Sequence, residues 1–326
     1  MEIGKLPHFL LKEIVMDNIK HNRKEVILRP EIGEDCSALD LNNHLCVLSS
    51  DPITGAANEI GRLAVHISCN DVAACGAEPI GLLVTLLAPP DATEKDLRTI
   101  MSQVSSTANE LNVDILGGHT EITASVTRFV IITTAVGKTI KSKLVTSSGA
   151  KAGDAVILTK TAGVEGTAII AHDKEEELIP KLGRELVDRA KSFINKISVI
   201  PEGMIASKLG ANAMHDVTEG GVLGAVWEVA EASKKGVVIY EDKIPIAEET
   251  EKICRLYSID PLRLISSGCM IITSSEGDLM VRELEANGIM ATIIGTVTES
   301  PERLLFNGNK ATAITPPGSD EIYKIT

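Results

Sequence analysis

Three acidic segments in the first half of the sequence carry side chains that could bind a metal ion. They read GEDCSA at 33–38, SSDP at 49–52 and SCNDVAACGA at 68–77. A single aspartate beside residues that begin or end an element usually caps a helix or forms a turn. If the fold brings Asp35, Asp51 and Asp71 together, their mutual repulsion needs a cation to offset it, and hard oxygen ligands suit magnesium that bridges a polyphosphate.

A pair of glycines follows a predicted strand in the segment LGGHTE at 116–121. Gly117 and Gly118 let backbone amides approach an anion closely, and the side chains of His119 and Glu121 can then orient a phosphate or a metal ion. A turn of this composition is weak evidence by itself.

In the second half, a predicted strand that ends at Lys160 runs into a helix start containing Gly163 and Gly166. Such a helix start offers free amide donors and the positive end of the helix dipole, which favour a phosphate or a carboxylate. The segment does not have the G-x-x-x-x-G-K-[ST] order of a Walker A loop.

The segment MHDVTEGGVLG at 214–224 opens a predicted amphipathic helix. Thr218 is expected to cap that helix, and His215 and Asp216 are expected to point into the space above its N-terminus. The same residues also fit a well-capped core helix without a chemical role.

Apolar runs and helical spacings predict mixed α and β structure in both halves of the chain. Strands are predicted at 44–50, 81–88, 114–116, 128–137, 154–159, 236–240, 269–273 and 291–297. Helices are predicted at 59–74, 93–111, 164–172, 181–198, 219–235 and 276–287, the second of them with a capping box at Thr93. Small and polar residues at 140–152 predict a boundary between domains 1–148 and 149–326, and the tail from Pro316 looks loosely held.

The composition suits two α+β domains and argues against several classes of function. Of 326 residues, 44% are hydrophobic and only 2% aromatic, so the cores must consist of Val, Ile, Leu and Ala. A formal charge of -13 opposes nucleic-acid binding. The sequence shows neither an apolar run of roughly 18 residues nor the features of a signal peptide, and its six cysteines lack zinc-ligand spacing. We therefore expect a cytoplasmic protein with reduced thiols that binds neither nucleic acid nor a membrane.

The order of these segments resembles the aminoimidazole ribonucleotide (AIR) synthase superfamily. The matching segments are GEDCSA, SDP, NDVAACGAEP, GGHTE, GDAVILTK with AGVEGT, HDVTEGG and SSGCM, and they lie within residues 33–271. Seven segments in the correct order are far more specific than any one of them. The superfamily includes AIR synthase, selenophosphate synthetase, thiamine-monophosphate kinase and the hydrogenase-maturation protein HypE. The paired TK…GVEGT and HDVTEGG segments most resemble HypE.

This resemblance implies a two-domain α+β protomer that dimerises through its N-terminal domains, with sheets from both subunits closing a central barrel. It implies ATP and magnesium as ligands. The residues it assigns to magnesium are Asp35, Asp51, Asp71 and Glu121. Those it places at the nucleotide are Asn70, Gly117, Gly118, His119 and Lys160. It places Asp216, with His215, against the acceptor of the phosphate.

The implied chemistry is transfer of the terminal phosphate of ATP to an amide, carbamoyl or carboxylate oxygen, driven by metal-clamped charge and exact positioning. Two alternatives stay open: a small-molecule kinase that resembles thiamine-monophosphate kinase, and an ATP-binding maturation partner with little turnover. HypE proteins carry a cysteine in their tail, whereas this sequence has no cysteine after Cys269. We therefore expect the acceptor to be a free small molecule or a group of a partner protein. The selenophosphate branch is disfavoured because no cysteine precedes Cys36.

Overall fold

A computed structural model describes residues 4–20, 23–54 and 58–325. Within these ranges the chain forms two β-sheets, one in each half. The strands of the first sheet are β1 Val26–Leu28, β2 Ser37–Asp40, β3 Leu45–Ile53, β4 Glu78–Ala88, β5 Asp114–Ile122 and β6 Val130–Thr139. Those of the second are β7 Ala155–Thr159, β8 Ala213–Asp216, β9 Gly236–Tyr240, β10 Met270–Ser274, β11 Ala291–Thr298, β12 Arg303–Asn307 and β13 Lys310–Ala313.

Helices cover both sheets. They are α1 His8–Leu10, α2 Ile60–Ala74, α3 Glu94–Glu110, α4 Val164–Asp173, α5 Glu175–Leu182, α6 Arg184–Lys191, α7 Ile200–Leu209, α8 Gly221–Ala232, α9 Glu248–Tyr257 and α10 Gly277–Ala286. The two-domain α+β architecture expected from the sequence is confirmed. None of these helices is long and apolar enough to cross a bilayer, a finding that covers the described residues only.

The first sheet has the strand order β1-β2-β3-β6-β4-β5, and its neighbours are antiparallel except for the parallel pair β4 and β5. Helix α2 lies against β3 and β6 and is buried along almost its whole length. Gly137 allows this close approach, because a Cβ atom there would lie 2.2 Å from Cγ1 of Val72. The contact fixes the height of α2, and therefore of Asp71, above the sheet.

The second sheet has the strand order β13-β12-β9-β11-β7-β10-β8 and carries His215 and Asp216 on its edge strand β8. It is tied to the first domain through Asn70 on α2. The Asn70 amide donates to the carbonyl of Ile197 at 2.8 Å, and its oxygen accepts from the N–H of Val199 at 2.9 Å. This contact between domains brings the edge that holds Asp216 close to α2.

Several elements differ from the sequence-based expectation. The helix predicted at 181–198 is divided, because Gly183 adopts a φ of 85° between α5 and α6. The Gly117 and Gly118 segment, expected as a turn, lies inside β5 instead. A Cβ atom at Gly118 would lie 1.7 Å from the carbonyl oxygen of Val84, so the second glycine permits two strands to pair closely. The capping box at Thr93 is present as predicted, with Asp96 as its partner.

The tail was expected to be loosely held, but the structure shows that it is docked on the second domain. The buried carboxylate of Asp320 accepts hydrogen bonds from the backbone N–H groups of Gly220 at 2.7 Å, Ile265 at 3.2 Å and Ile322 at 2.9 Å. The hydroxyl of Tyr323 donates to Glu219 at 2.9 Å. One carboxylate thus organises the start of α8, the segment before β10 and the tail.

Removing this carboxylate leaves three backbone donors without their acceptor. We expect Asp320→Ala to lower the free energy of unfolding by about 2–3 kcal/mol, since a buried donor that loses its partner costs about 1–3 kcal/mol. Asp320→Asn keeps one acceptor oxygen and should lose clearly less. Urea unfolding of the two variants checks this, and equal losses in both would contradict the anchoring role.

Candidate functional site

The three aspartates singled out from the sequence line one cavity of about 310 Å³. Asp35 lies in the loop between β1 and β2, Asp51 lies on β3, and Asp71 lies on the face of α2 that packs against β3. The elements that carry them are distant in sequence but adjacent in the fold. The cavity lies where the first domain meets Glu165, Thr218, Glu219 and Ser267 of the second domain.

A single serine hydroxyl lies between two of these carboxylates. Oγ of Ser49 is 2.5 Å from Oδ2 of Asp71 and 3.1 Å from Oδ2 of Asp51. A hydroxyl has one proton to donate, so it can satisfy only one of the two oxygens at a time. The negative charge of Asp51 and Asp71 is therefore only partly offset by this hydroxyl.

The pKa values of the cluster also indicate an excess of negative charge. Burial, followed by the charges of Asp51 and Asp216, raises the pKa of Asp71 well above its usual range. Burial and the charge of Asp35 raise the pKa of Asp216 to about 7, and burial raises that of Asp35 to about 6. Carboxylates with pKa values raised by burial and by one another are typical of sites that bind a cation or perform acid–base chemistry.

Asp216 lies on β8, with its side chain fully buried. Among the described residues, neither of its carboxylate oxygens has a hydrogen-bond partner. Ligand atoms of Asp35, His215 and Asp216 lie within 4.8 Å of one another. A buried carboxylate without a donor is costly, so a cation at this point would relieve it.

His215 is held in place from two sides. Its Nδ1 is 2.6 Å from the carbonyl oxygen of Asp216 and 3.3 Å from Oδ2 of Asp35, and its Nε2 is 3.5 Å from Oε2 of the buried Glu228. The carboxylates of Asp35 and Glu228 outweigh burial and raise the pKa of His215. The ring thus links the acidic cluster to Glu228 on α8.

This donor set fits magnesium. Oxygen ligands from several carboxylates are what this hard cation takes, usually together with water and substrate phosphates. The oxygens of Asp216 have no partner within the described part of the chain, and Asp51 and Asp71 share one hydroxyl, so a divalent ion would satisfy the remaining positions. The aspartates would hold the ion, and the ion would neutralise the phosphates of a nucleotide.

The other residues singled out from the sequence lie away from this cluster. Gly117, Gly118, His119 and Glu121 lie on the exposed edge strand β5, which β6 and β4 separate from β3. Three strand spacings of about 4.8 Å correspond to about 14 Å. His119 and Glu121 lie 3.4 Å apart on that strand.

Asn70 and Lys160 have structural partners. The amide of Asn70 is used by the backbone of the second domain, as described above. The Lys160 ammonium lies 2.5 Å from the buried Glu202 and donates to the carbonyls of Ser198 at 2.8 Å and Gly268 at 2.6 Å. Neither side chain is aimed into the cavity, and their assignment to the nucleotide stays a prediction.

At the start of α4, the N–H of Gly163 donates to Ser266 and that of Gly166 to the carbonyl of Ile265, so these two amides are not available to an anion. The cap expected for α8 is wrong. Thr218 does not cap α8: Gly220 occupies the N-cap with a φ of 88°, and the Thr218 hydroxyl lies 3.3 Å from the ammonium of Lys5.

Residues not singled out from the sequence also belong to the site. Lys5 and Glu165 line the cavity, Ser49 links two aspartates, and the carboxylate of Glu228 lies 3.5 Å from Nε2 of His215. Ser49 and Glu165 lie in the segments SSDP and AGVEGT, which stand out in the sequence, but nothing in the sequence indicates their roles. Lys5 and Glu228 carried no local signal.

Glu165 is buried beside the cavity and accepts one hydrogen bond, from the N–H of Ser267 at 3.3 Å. Burial raises its pKa from 4.5 to about 7. The folded state therefore keeps a proton that the unfolded state releases, and stability falls as the pH rises between these two values.

We expect Glu165→Gln to remove this pH-dependent loss of stability. With magnesium chelated, the variant should equal the natural protein near pH 5 and exceed its free energy of unfolding at pH 8 by on the order of 1–3 kcal/mol, at about 1.4 kcal/mol per pKa unit. Urea unfolding at the two pH values measures this. Glu176→Gln, at an exposed position on α5, is the control. An unchanged pH dependence in Glu165→Gln would contradict the assignment.

Comparison with protein families gives two matches that together cover most of the chain. The N-terminal domain of AIR synthase related proteins matches residues 33–139, and the C-terminal domain matches residues 151–305. The first match contains all three aspartates of the cavity, and the second contains His215 and Asp216.

Named relatives fall into two groups. A Methanocaldococcus jannaschii protein provisionally named a hydrogenase expression/formation protein is 29% identical over 93% of this chain and 91% of its own length. The carbamoyl dehydratase HypE of Cupriavidus necator is 27% identical over 76% and 70%. A thiamine-monophosphate kinase of Pyrococcus horikoshii is 30% identical over 73% and 74%.

Solved structures share the fold. A HypE–HypF complex matches with a TM-score of 0.79 at 24% identity, covering 94% of this chain and 99% of that one. A hydrogenase-maturation protein HypE in complex with ATP matches with a TM-score of 0.70 at 19% identity, covering 98% and 97%. At these identities the likeness establishes the architecture of both domains.

Proposed function

The chain belongs to the AIR synthase related family, and we propose that it is an ATP-dependent enzyme that activates a carbamoyl or carboxamide oxygen by phosphorylation. The observation that carries this proposal is the convergence of Asp35, Asp51 and Asp71 on one cavity, with the Asp216 carboxylate, unpartnered among the described residues, close to Asp35. Such a cluster is suited to hold magnesium on a triphosphate. Relatives named carbamoyl dehydratase and thiamine-monophosphate kinase support ATP as the phosphate donor.

In the proposed reaction the amide oxygen of the acceptor attacks the terminal phosphorus of ATP, the bond to ADP breaks and the amide nitrogen releases a proton. Loss of phosphate from carbon and of the second nitrogen proton then leaves a carbon–nitrogen triple bond. Magnesium held by Asp35, Asp51 and Asp71 would neutralise charge on the transferred phosphate. We propose that Asp216 acts at this centre as a further ligand, with His215 fixing the position of Asp35 and of the Asp216 backbone.

The charge of the cavity favours an uncharged acceptor. Its described lining contains six acidic residues and one basic residue, Lys5. An acceptor that brings its own phosphate needs basic partners in addition to the metal. A neutral amide needs none, and its N–H groups can donate to carboxylates such as Glu165 and Glu219.

One observation favours a kinase as the second candidate. A smaller pocket of about 90 Å³ adjoins the cavity and is lined mainly by apolar side chains together with Glu165 and Glu219. A cationic ring such as the thiazolium of thiamine monophosphate would suit those walls. The relative at 30% identity carries the kinase name.

Product analysis separates these candidates. We expect Mg-ATP with a carbamoyl donor, free or delivered by a HypF-like partner protein, to release inorganic phosphate in phosphorus NMR. A kinase would instead convert thiamine monophosphate into a stable diphosphate. If neither acceptor raises phosphate turnover while Mg-ATP binds, the chain is a nucleotide-binding partner, and the proposed activity is wrong.

We further propose that the protein is a homodimer joined along β5. Every residue of this edge strand is exposed, and the apolar side chains of Leu83, Ile115, Leu116 and Ile122 are each at least 40% exposed. An open edge with such a surface is suited to pairing with a second copy. Pairing there would also place residues 117–121 against the partner subunit.

We expect Ile122→Lys to convert the dimer into a monomer, because a buried ammonium opposes edge pairing. Ile27→Lys, on the opposite edge strand β1, is the matched control and should stay dimeric. Size-exclusion chromatography with light scattering measures both. A natural protein that is monomeric at micromolar concentration would refute the dimer without touching the catalytic proposal.

A further inference from the structure

Lys5 occupies a position that the proposed reaction does not yet use. It is the one basic residue among the described lining of the cavity, where it faces six acidic residues. Its ammonium is 3.3 Å from the Thr218 hydroxyl, and its backbone N–H donates to Glu219 at 3.2 Å. Both partners belong to the loop that precedes α8.

The surroundings keep this ammonium charged. Partial loss of hydration lowers the pKa of the exposed Lys5, but the carboxylates of Glu228, Asp35, Glu219 and Asp216 outweigh this and raise the pKa above its usual range. A bound Mg-ATP carries net negative charge, so its phosphate oxygens compete with these carboxylates for the ammonium. A compact cation on a flexible stem can then turn toward a phosphate oxygen.

Residues 4–18, which we call the N-terminal strap, hold Lys5 in place. The ring of His8 stacks on Trp227 with centroids 4.9 Å apart and planes inclined by 23°. Nε2 of His8 lies 3.4 Å from Oε1 of Glu228, the same carboxylate whose other oxygen faces His215. The strap is therefore fastened to α8 next to the acidic cluster.

The rest of the strap is less tightly packed. A cavity of about 380 Å³ separates Leu6, Leu11 and Met16 from the loop at 30–35. Phe9 and Ile14 are exposed on its outer side. The strap is held on α8 at His8, and the part that follows is loosely packed. This arrangement would allow it to open for the nucleotide to enter.

From this arrangement we infer that Lys5 binds the terminal phosphate of the nucleotide and that the N-terminal strap, latched by His8 on Trp227 and Glu228, closes over it. The inference rests on the proposed function, because it assumes that a nucleotide triphosphate occupies the cavity. It adds a phosphate ligand that comes from outside the two matched family domains, since residues 4–18 precede residue 33.

Equilibrium binding of Mg-ATP and Mg-ADP tests the role of Lys5. A charged hydrogen bond contributes about 1.5–3 kcal/mol, so Lys5→Met should weaken Mg-ATP about 10- to 100-fold and Mg-ADP much less. Lys5→Arg keeps the charge and should restore most of the affinity. Lys12→Met, an exposed lysine of the same strap, should bind both nucleotides normally. Equal weakening of ATP and ADP, or none, would overturn the inference.

The outcome distinguishes this inference from the function on which it rests. If the natural protein binds neither nucleotide, the proposed function and the role of Lys5 are both wrong. If the natural protein binds Mg-ATP and Lys5→Met binds it equally well, only the role of Lys5 is wrong. Hydrogen exchange tests the latch: Mg-ATP should slow exchange of the strap amides in the natural protein and not in His8→Ala. Exchange that is unaffected by Mg-ATP in the natural protein would rule out closure.

Discussion

The Asp71→Asn variant is expected to lose ATP-dependent turnover by about 10²–10³-fold, the size of effect seen when a main source of transition-state charge stabilisation is removed. Asp71 is 5% exposed and shares the Ser49 hydroxyl with Asp51. An asparagine keeps the shape and still accepts that hydrogen bond, but it brings no charge to a magnesium ion. The affinity for Mg-ATP should fall together with turnover.

The same variant should fold at least as well as the natural protein. Burial and neighbouring carboxylates raise the pKa of Asp71, so ionising it at pH 8 destabilises the metal-free fold, and the neutral amide avoids that cost. Thermal unfolding with a chelator at pH 8 should show a higher Tm for Asp71→Asn. Added magnesium should then raise the Tm of the natural protein but not that of the variant.

The exposed Asp91 supplies the control, because Asp91→Asn changes the same functional group without touching the cavity. It should bind Mg-ATP normally. Unchanged Mg-ATP affinity in Asp71→Asn would remove this residue from the site. A lowered Tm in the metal-free variant would show that the carboxylate serves the fold instead.

The second large effect is expected at Asp216. Its carboxylate is fully buried, lacks a hydrogen-bond partner among the described residues and lies close to Asp35 and His215. Asp216→Asn should lower kcat by about 10²–10³-fold, because a preorganised charge at the reacting centre is lost. Single-turnover assays with Mg-ATP and a carbamoyl acceptor measure the chemical step directly.

Glu228→Gln provides the comparison for Asp216→Asn. It removes the charge that faces Nε2 of His215 while leaving every aspartate of the cluster in place. We expect a smaller loss of turnover than in Asp216→Asn. An equal loss in both variants would mean that any buried negative charge near His215 has the same effect on turnover, and the metal role proposed for Asp216 would be wrong.

The acidic cluster could be predicted because each aspartate stood at an irregularity in the sequence pattern. Asp51 follows an apolar run and Asp71 interrupts one, and both irregularities are visible in the sequence. The strands and helices that carry them were also predictable from periodicity. What brings them together is the packing of α2 on β3 and β6, a contact between segments far apart in the chain.

Other features depended on long-range contacts that the sequence does not display. Gly117 and Gly118 suit a turn as well as a strand that approaches a neighbour closely, and only the pairing of β5 with β4 decides between them. The Pro316-Pro317-Gly318 sequence suggested a loose tail, but Asp320 anchors it through backbone N–H groups from two other segments. Lys5 lies at the cavity in a segment whose His8 stacks on Trp227 and contacts Glu228, residues far away in the chain.

Diffraction from crystals grown with manganese and a non-hydrolysable ATP analogue would show whether the three aspartates bind the metal ion, since manganese replaces magnesium and gives an anomalous signal. We expect an anomalous peak at direct coordination distance, about 2 Å, from carboxylate oxygens of at least two of Asp35, Asp51 and Asp71, with the triphosphate on its other side. A bound nucleotide whose metal ion lies away from all three carboxylates would contradict it.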